Sequence, residues 1–441
     1  MSKFFKGVIL LALAAFASEC IEFVVNMVLA RELGERGLGM YMSILPTIFL
    51  IVLLASFELP ISISKFIAEK DKRYHLSMLH HVIKLTIIFT AVLVPAASAI
   101  IPFVSVFNEY HPLLRWVVIG FIPIVSFSSI ARGFFMGKHQ MGKIAASNFL
   151  RKSVQLLLLV VLYQAFQFDA NTAVFIAFCT FVGSEIVVFL YLLHMFIIQY
   201  QRIKKEPSSF ISGKSVRQNL LSVSVPPTAL RVFHALTHAV QPFLIKAALF
   251  KAGVPGEIAT EHFGMLAGVA MTIGFFPSFI AHSFLIMLIP TVSKEYADKN
   301  LDELRRLLQQ VFFVTFLYGI PSVGLFYFFA RPLTDVFFHS TDAAVYLQML
   351  WPFFLLHFFI IPMQAYLIGL GLMKDAAYHS VWSTVVSFTV MYLLGSMHSL
   401  QMDGIIMGMN TGAVLLAMMH YVTVCRKIGL TLYLSPAKQF Y

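Results

Sequence analysis

Residues Gly7–Ala30 read GVILLALAAFASECIEFVVNMVLA. A helix needs about 20 mostly apolar residues to cross the hydrocarbon core of a bilayer, and this run supplies them. It exceeds the roughly 7–15 apolar residues of a signal-peptide core, and no small-residue cleavage site follows, so it reads as a retained first membrane helix. Two carboxylates and an amide interrupt it. Glu19, Glu22 and Asn26 recur at i, i+3 and i+7 and therefore share one helical face. Ionisable groups inside a span are costly, which makes this face a functional hypothesis.

The rest of the chain has the same character. Of 441 residues, 59% are hydrophobic and only 12% charged, with 45 phenylalanines, whereas a soluble domain carries about 25% charged residues. A soluble enzyme is excluded. The expected fold is an all-α polytopic membrane protein. Apolar runs between charged or Pro/Gly-rich breaks give twelve expected spans: 7–30, 40–64, 79–104, 114–136, 144–166, 172–198, 220–249, 264–290, 308–330, 344–369, 376–396 and 402–424. With the N-terminus inside, the inner side holds twenty-five of the 32 Lys and Arg residues and the outer side six. That asymmetry follows the positive-inside rule, and both termini are expected in the cytoplasm of a cell-membrane protein. The net charge of +11 is then mostly topology, and no nucleic-acid partner is implied. Cys20, Cys179 and Cys425 are too scattered for a zinc site and read as packing residues. No metal or cofactor is expected, and no G-x-x-x-x-G-K-[ST] loop is present to support ATP hydrolysis.

The longest polar interruption, Gln199–Asn219, splits the chain into six spans and six. The expected organisation is an N-terminal bundle (1–198), a basic cytoplasmic linker (199–219) and a C-terminal bundle with a short cytoplasmic tail (220–441). Local sequence points to a duplication. Ser64-Lys65-Phe66-Ile67-Ala68-Glu69-Lys70 recurs as Ser293-Lys294-Glu295-Tyr296-Ala297-Asp298-Lys299, each just after a proline, Pro60 and Pro290. Gly137, Met141 and Ala145 recur as Gly369, Met373 and Ala377. The two motifs are offset by 229 and 232 residues. An even number of spans per half makes the repeats parallel, arranged around a central cavity, as in transporters that bind substrate near the midplane.

Arg231, His234, His238 and Gln241 form a second polar face, at i, i+3, i+7 and i+10 of the seventh span. Aligning Gly34 with Gly253 places Glu19 opposite His238 and Glu22 opposite Gln241. An acidic and a basic stripe would then face one cavity. Arg231 keeps its charge at any relevant pH and suits a phosphate or sugar hydroxyls. Glu19 and Glu22 would pair with it or bind a coupling H+ or Na+, with the histidines titrating nearby; a static polar network between helices is the plainer reading. Glu185 is a further intramembrane acid. Glu58 is expected to pair with Arg132 as a cytoplasmic gate. Lys65 and Lys294 orient helix ends toward anionic lipid or contribute to gating. His75, His80 and His81 read as interfacial, and His282 and His357 as satisfied within the core.

Four segments carry a family resemblance. Arg31-Glu32-Leu33-Gly34 with Gly37, Gly39 and Tyr41, then Leu59-Pro60-Ile61-Ser62-Ile63-Ser64-Lys65-Phe66-Ile67-Ala68-Glu69, resemble segments of stage V sporulation protein B and its relatives. So do Arg132-Gly133-Phe134-Phe135-Met136-Gly137 with Met141, and Leu288-Ile289-Pro290-Thr291-Val292-Ser293. These are polysaccharide-type flippases of the multidrug/oligosaccharidyl-lipid/polysaccharide exporter superfamily. The resemblance implies translocation of a lipid-linked saccharide or other amphipathic substrate, with membrane lipids as partners, in building the spore envelope. A cation-coupled multidrug exporter is the alternative within the superfamily, since Glu19, Glu22 and Glu185 suit organic cations. A membrane enzyme of lipid-linked sugar metabolism would need a charged cluster at the outer face, where the loops are short.

Overall fold

The computed structural model describes residues 3–56, 59–207 and 209–431, and over these the chain is helical almost throughout. The helices are α1 (Lys3–Ser56), α2 (Leu59–Glu69), α3 (His75–Ile100), α4 (Leu113–Gly137), α5 (Met141–Ala165), α6 (Ala170–Lys204), α7 (Gly213–Lys251) and α8 (Gly256–Phe263). A π-helical turn, Gly264–Ala270, leads to α9 (Met271–Phe275), α10 (Ser278–Ala297), α11 (Leu301–Phe328) and α12 (Ala330–Phe338). The chain ends in α13 (Ala343–Met349), α14 (Trp351–Gly369), α15 (Met373–Gly395) and α16 (Met402–Ile428).

Nine stretches of the described residues are long and apolar enough to cross a membrane, the first running from Ala15 to Glu69 and the last from Met402 to Ile428. That merges the two expected spans 7–30 and 40–64 and leaves α7, α10 and α15 outside the set. α10 and α15 are diluted by Ser, Thr and His and by charges at one end of each. The expected span 264–290 is broken by the π turn and by Pro277, which caps α10.

Backbone punctuation falls at the turn residues the sequence marks. α1 is kinked at Gly34 (φ 65°), and Gly253 (φ 87°) separates α7 from α8. Both occupy the left-handed region, where only glycine escapes a Cβ clash. After α4 and α14, His139 (φ 56°) and Gly371 (φ 77°) also take a positive φ, which His139 adopts against the strain its Cβ imposes there.

The described chain forms two compact units, 40–240 and 1–39 with 241–441. In the 40–240 unit, α2 packs on α4 around Ile63, Phe66, Ile67, Phe134 and Phe135, joined by Met78, Leu79 and Val82 of α3 and Val188 and Leu192 of α6. The contact is backbone-close: a Cβ on Gly137 would lie 2.6 Å from Ile67 Cβ and 2.7 Å from the Ser64 carbonyl oxygen. In the other unit, α10 packs on α14 in the same manner, and a Cβ on Gly369 would lie 2.8 Å from Val292 Cβ. Each unit therefore carries its own copy of one packing arrangement at the repeated motif. Here the start of the chain also finds its place: Phe16 and Phe23 of α1 pack on Phe276, and Phe23 on Phe337 and Phe338 as well. Arg31 donates from Nε to the Phe337 carbonyl at 3.1 Å, against the C-terminal end of α12 where partial negative charge collects.

Candidate functional site

α5 is built inside out. Its buried residues are Ser147, Lys152, Gln155 and Leu159, while Phe149, Leu157 and Val161 are more than half exposed. In water that arrangement would waste apolar surface. In lipid it is the stable one, because polar groups gain only when turned toward protein partners. The neighbours complete a polar interior within the 40–240 unit. Ser126, Ser128 and Ser129 of α4 and Thr180 and Ser184 of α6 are buried. Most of these hydroxyls bond back to their own helix, as Ser129 does to Val125 (2.8 Å) and Ser184 to Phe181 (2.7 Å). Such local bonds spare the hydroxyls the cost of burial without a partner.

Three charges meet in this interior. Arg132 of α4 donates from Nη2 to Glu185 Oε2 at 3.3 Å, and Arg151 of α5 forms an ion pair with the same carboxylate, its Nε 3.5 Å from Oε1. Arg132 also reaches Asn148 Oδ1 and Ser128 Oγ, each at 3.5 Å. The three side chains are 18–27% exposed, so the group is neither sealed nor open. Two guanidiniums share one carboxylate, and the cluster carries a net positive charge.

Glu185 is thus held from two sides, and the carboxylate on Arg132 among the described residues is Glu185. Glu58, the gate partner expected from the sequence, lies outside the described residues. Arg151 escapes a reading by composition because it stands near the head of its span and counts as an inner-loop charge. The spacing Ser147, Arg151, Gln155 at i, i+4, i+8 was the available signal.

The two sequence stripes are placed as follows. Glu19, Glu22 and Asn26 are half-buried on α1 in the unit 1–39 with 241–441. On α7, Arg231 and His238 are exposed and His234 half-buried in the 40–240 unit, and half-buried Gln241 begins the other. Ser64 and Pro60 give their backbone to the α4 glycines. Exposed Lys65 pairs with Glu69 at 3.8 Å, and Ser293 and Lys294 are exposed on α10, beyond Pro290 inside that helix. Two of the three clustered histidines fasten the loop before α7 and the end of α6: His81 bonds the Ile211 carbonyl at 3.0 Å and His80 the Tyr200 hydroxyl at 2.6 Å. The sequence reading also missed a buried pair, His379 and His420, whose Nδ1 atoms lie 3.1 Å apart between α15 and α16.

Comparison with known proteins places these features in context. The family model described as "Polysaccharide biosynthesis protein" matches residues 4–295, and a second, MatE, matches residues 265–393. The chain is 53% identical to "Sporulation protein YkvU" of Bacillus subtilis (strain 168) over 435 residues, which is 99% of this chain and 98% of that one. It is 32% identical to "Stage V sporulation protein B" of the same organism over 443 residues, covering 97% of this chain and 85% of that one. Among solved structures it resembles an inward-facing multidrug resistance MATE transporter of the MOP superfamily, with a TM-score of 0.73 at 16% identity, covering 93% of this chain and 94% of that one. It also resembles a MOP superfamily transporter from Pyrococcus furiosus, with a TM-score of 0.68 at 15% identity over 97% and 96% of the two chains. At such identities the likeness speaks to fold alone: the helical architecture that those structures share.

Proposed function

This chain belongs to the polysaccharide biosynthesis protein family, and we propose that it is a multi-pass membrane flippase moving a lipid-linked saccharide, a precursor of spore peptidoglycan or polysaccharide, across the cell membrane. The observation that carries the reading is the polar interior of the 40–240 unit, with Arg132, Arg151 and Glu185 at its centre. A purely structural membrane bundle has no need to bury charge there, and a saccharide with an anionic linkage needs hydroxyl partners and positive charge on its path. The protein acts by binding and release and catalyses no bond change. Twelve spans, arranged as two parallel six-helix repeats divided at 199–219, rock between inward- and outward-open states around a central cavity, with both termini cytoplasmic. The stripes Glu19, Glu22 and Asn26, and Arg231, His234, His238 and Gln241, line that cavity, and H+ or Na+ drives the cycle.

The test is a flipping assay in proteoliposomes with a fluorescent lipid-linked saccharide. Wild-type protein should move the label between leaflets, and Arg132→Ala should slow it by tenfold or more while reconstituting normally. No translocation by wild type would overturn the reading. One observation favours a second reading, cation-coupled export of small molecules: the MatE match over residues 265–393. Efflux of organic cations by the same vesicles, with no saccharide flipping, would select it.

A further inference from the structure

We propose that His379 and His420 form a proton-binding site, which takes one proton with α15 and α16 closed and a second only by parting the two helices at that end, and that protons act on the transport cycle through it. The link to the cycle rests on the flippase reading; the site itself rests on how α15 packs on α16. Neither histidine belongs to the polar interior around Glu185, and ionisable groups inside a membrane bundle are kept only at a cost.

The helix register explains how the two rings meet. α15 and α16 run antiparallel, with Gly404 set against Gly395, Gly408 against Met391 and Gly412 against Ser387. A Cβ on Gly404 would lie 2.7 Å from the Gly395 amide nitrogen, one on Gly408 2.5 Å from that of Met391, and one on Gly412 2.6 Å from Ser387 Cβ. Small residues permit this approach, and Ser387 ties it by donating to the Gly408 carbonyl at 2.9 Å. About two turns further on, the same register brings His420 to His379. The rings are 1% and 6% exposed, and their Nδ1 atoms lie 3.1 Å apart. On its other side, His379 Nε2 lies 3.4 Å from Thr423 Oγ1. Among the described residues no third His, Cys, Asp or Glu joins the pair to make a metal site. The ligand that fits two facing ring nitrogens is a proton.

Two such nitrogens require one proton between them, donated by one ring and accepted by the other. With His379 as donor, its Nε2 is bare and accepts the Thr423 hydroxyl. An added proton goes to that Nε2, which then donates to Thr423 Oγ1, and no heavy atom has to move. With the roles exchanged, the added proton goes to His420 Nε2. The next proton must go to the Nδ1 that accepts the shared bond. Two N–H groups on two cations would then face each other, and the rings must part. Asp375, exposed one turn before His379, acts on it electrostatically. The other titratable groups near that end are Tyr421 and Cys425 of α16, Tyr366 of α14 and Arg305 of α11. Tyr366 donates to the Leu304 carbonyl, and Arg305 is held by Asp302 and the Ile428 carbonyl. α7 and α13 meet these helices at the far end, by Gly395 and Asn410. A merely structural polar tie would accept glutamine for either ring and would ignore pH.

Full-length protein with Cys20, Cys179 and Cys425 replaced is placed in phosphatidylcholine nanodiscs, with nitroxides on cysteines at positions 378 and 418. Tyr378 and Met418 are exposed neighbours of the two histidines. The label-to-label distance, read by electron resonance, should lengthen by several ångström as pH falls through the histidine range, from about pH 8 to about pH 5. In His379→Gln and His420→Gln, which cannot set two cations face to face, it should hold. A control pair at Leu393 and Met407, exposed residues beside the glycine contacts, should hold in every protein and identifies any variant that fails to fold. A constant distance with both histidines present, an equal lengthening in both glutamine variants, or a control pair that moves with the first would overturn the proposal. In proteoliposomes, an imposed pH gradient should change saccharide flipping severalfold with both histidines present and leave the glutamine variants nearly unaffected. An undiminished gradient response in both variants would overturn the assignment to the cycle. Labels that part on acidification in a protein that flips no saccharide would overturn the function and leave the proton site standing.

Discussion

Asp169 stands before α6, and its carboxylate accepts the Thr172 amide at 3.2 Å. Hydrogen bonds from the Thr172 side chain and amide hold its carboxyl below the ordinary value. A depressed carboxyl contributes stability above its unfolded pKa and loses it as pH falls through the folded one. Asp169→Ala should therefore melt below wild type at pH 7, and the gap should close at an acid pH below the depressed folded value, where the cap is protonated in both states. Melting in detergent at the two pH values checks this; an equal gap at both would remove the carboxylate from the account. Other residues were legible only in part. Glu185 and Arg132 are visible from sequence because each is a lone charge in an apolar run. Arg151 adjoins Lys152, and together they look like the basic edge of a loop; only the helix's burial pattern shows one of them turned onto Glu185. Arg31 was legible as part of a motif but not as a cap, because its acceptors on α12 lie some three hundred residues away.

At the level of elements, the glycines of α4 separate contact from propensity. A Cβ on Gly137 would lie 2.6 Å from Ile67 Cβ, whereas nothing lies within 4 Å of one on Gly120. Helix propensity alone favours alanine over glycine by about 1 kcal/mol at both positions. Overpacking at the α2 contact costs about 1–3 kcal/mol in the other direction. Gly120→Ala should keep or raise the melting temperature, and Gly137→Ala should lower both it and the yield of folded protein. Equal effects would mean that α2 and α4 do not pack as closely as the backbone indicates. The repeat of this device at Gly369 was readable in sequence because the same close crossing imposes the same residue twice. The helix breaks were less readable. The π turn at Gly264–Ala270 and the merging of α1 across Gly34 depend on partners distant in sequence: a Cβ on Gly264 would lie 2.2 Å from the Glu35 carbonyl oxygen. No local pattern reports such a contact.

For the whole molecule, the excess of +11 charges becomes a statement about orientation. Lys and Arg resist translocation, so the loops that hold most of them are expected on the cytoplasmic side. The loop between α2 and α3 holds Lys70, Lys72 and Arg73, and the segment after α6 begins with Lys205, whereas the turn before α6 holds Gln167 and Asp169 and no basic residue. The +11 therefore predicts a side for each. With Cys20, Cys179 and Cys425 replaced, single cysteines at Lys72 and Lys205 should react with a membrane-impermeant maleimide only in permeabilised cells. Cysteines at Gln167 and Thr341 should react in intact ones. All four positions are exposed, so reactivity reports the side of the membrane rather than burial. Gln167 and Thr341 lie in different halves, and matched labelling of the two carries a second consequence. It requires an even number of crossings between them and makes the halves parallel, which is the arrangement that lets one packing device, α2 on α4 and α10 on α14, serve both. Labelling of Gln167 but not Thr341 in intact cells would make the repeats inverted, and the equivalence of Gly137 with Gly369 would then reflect packing chemistry alone.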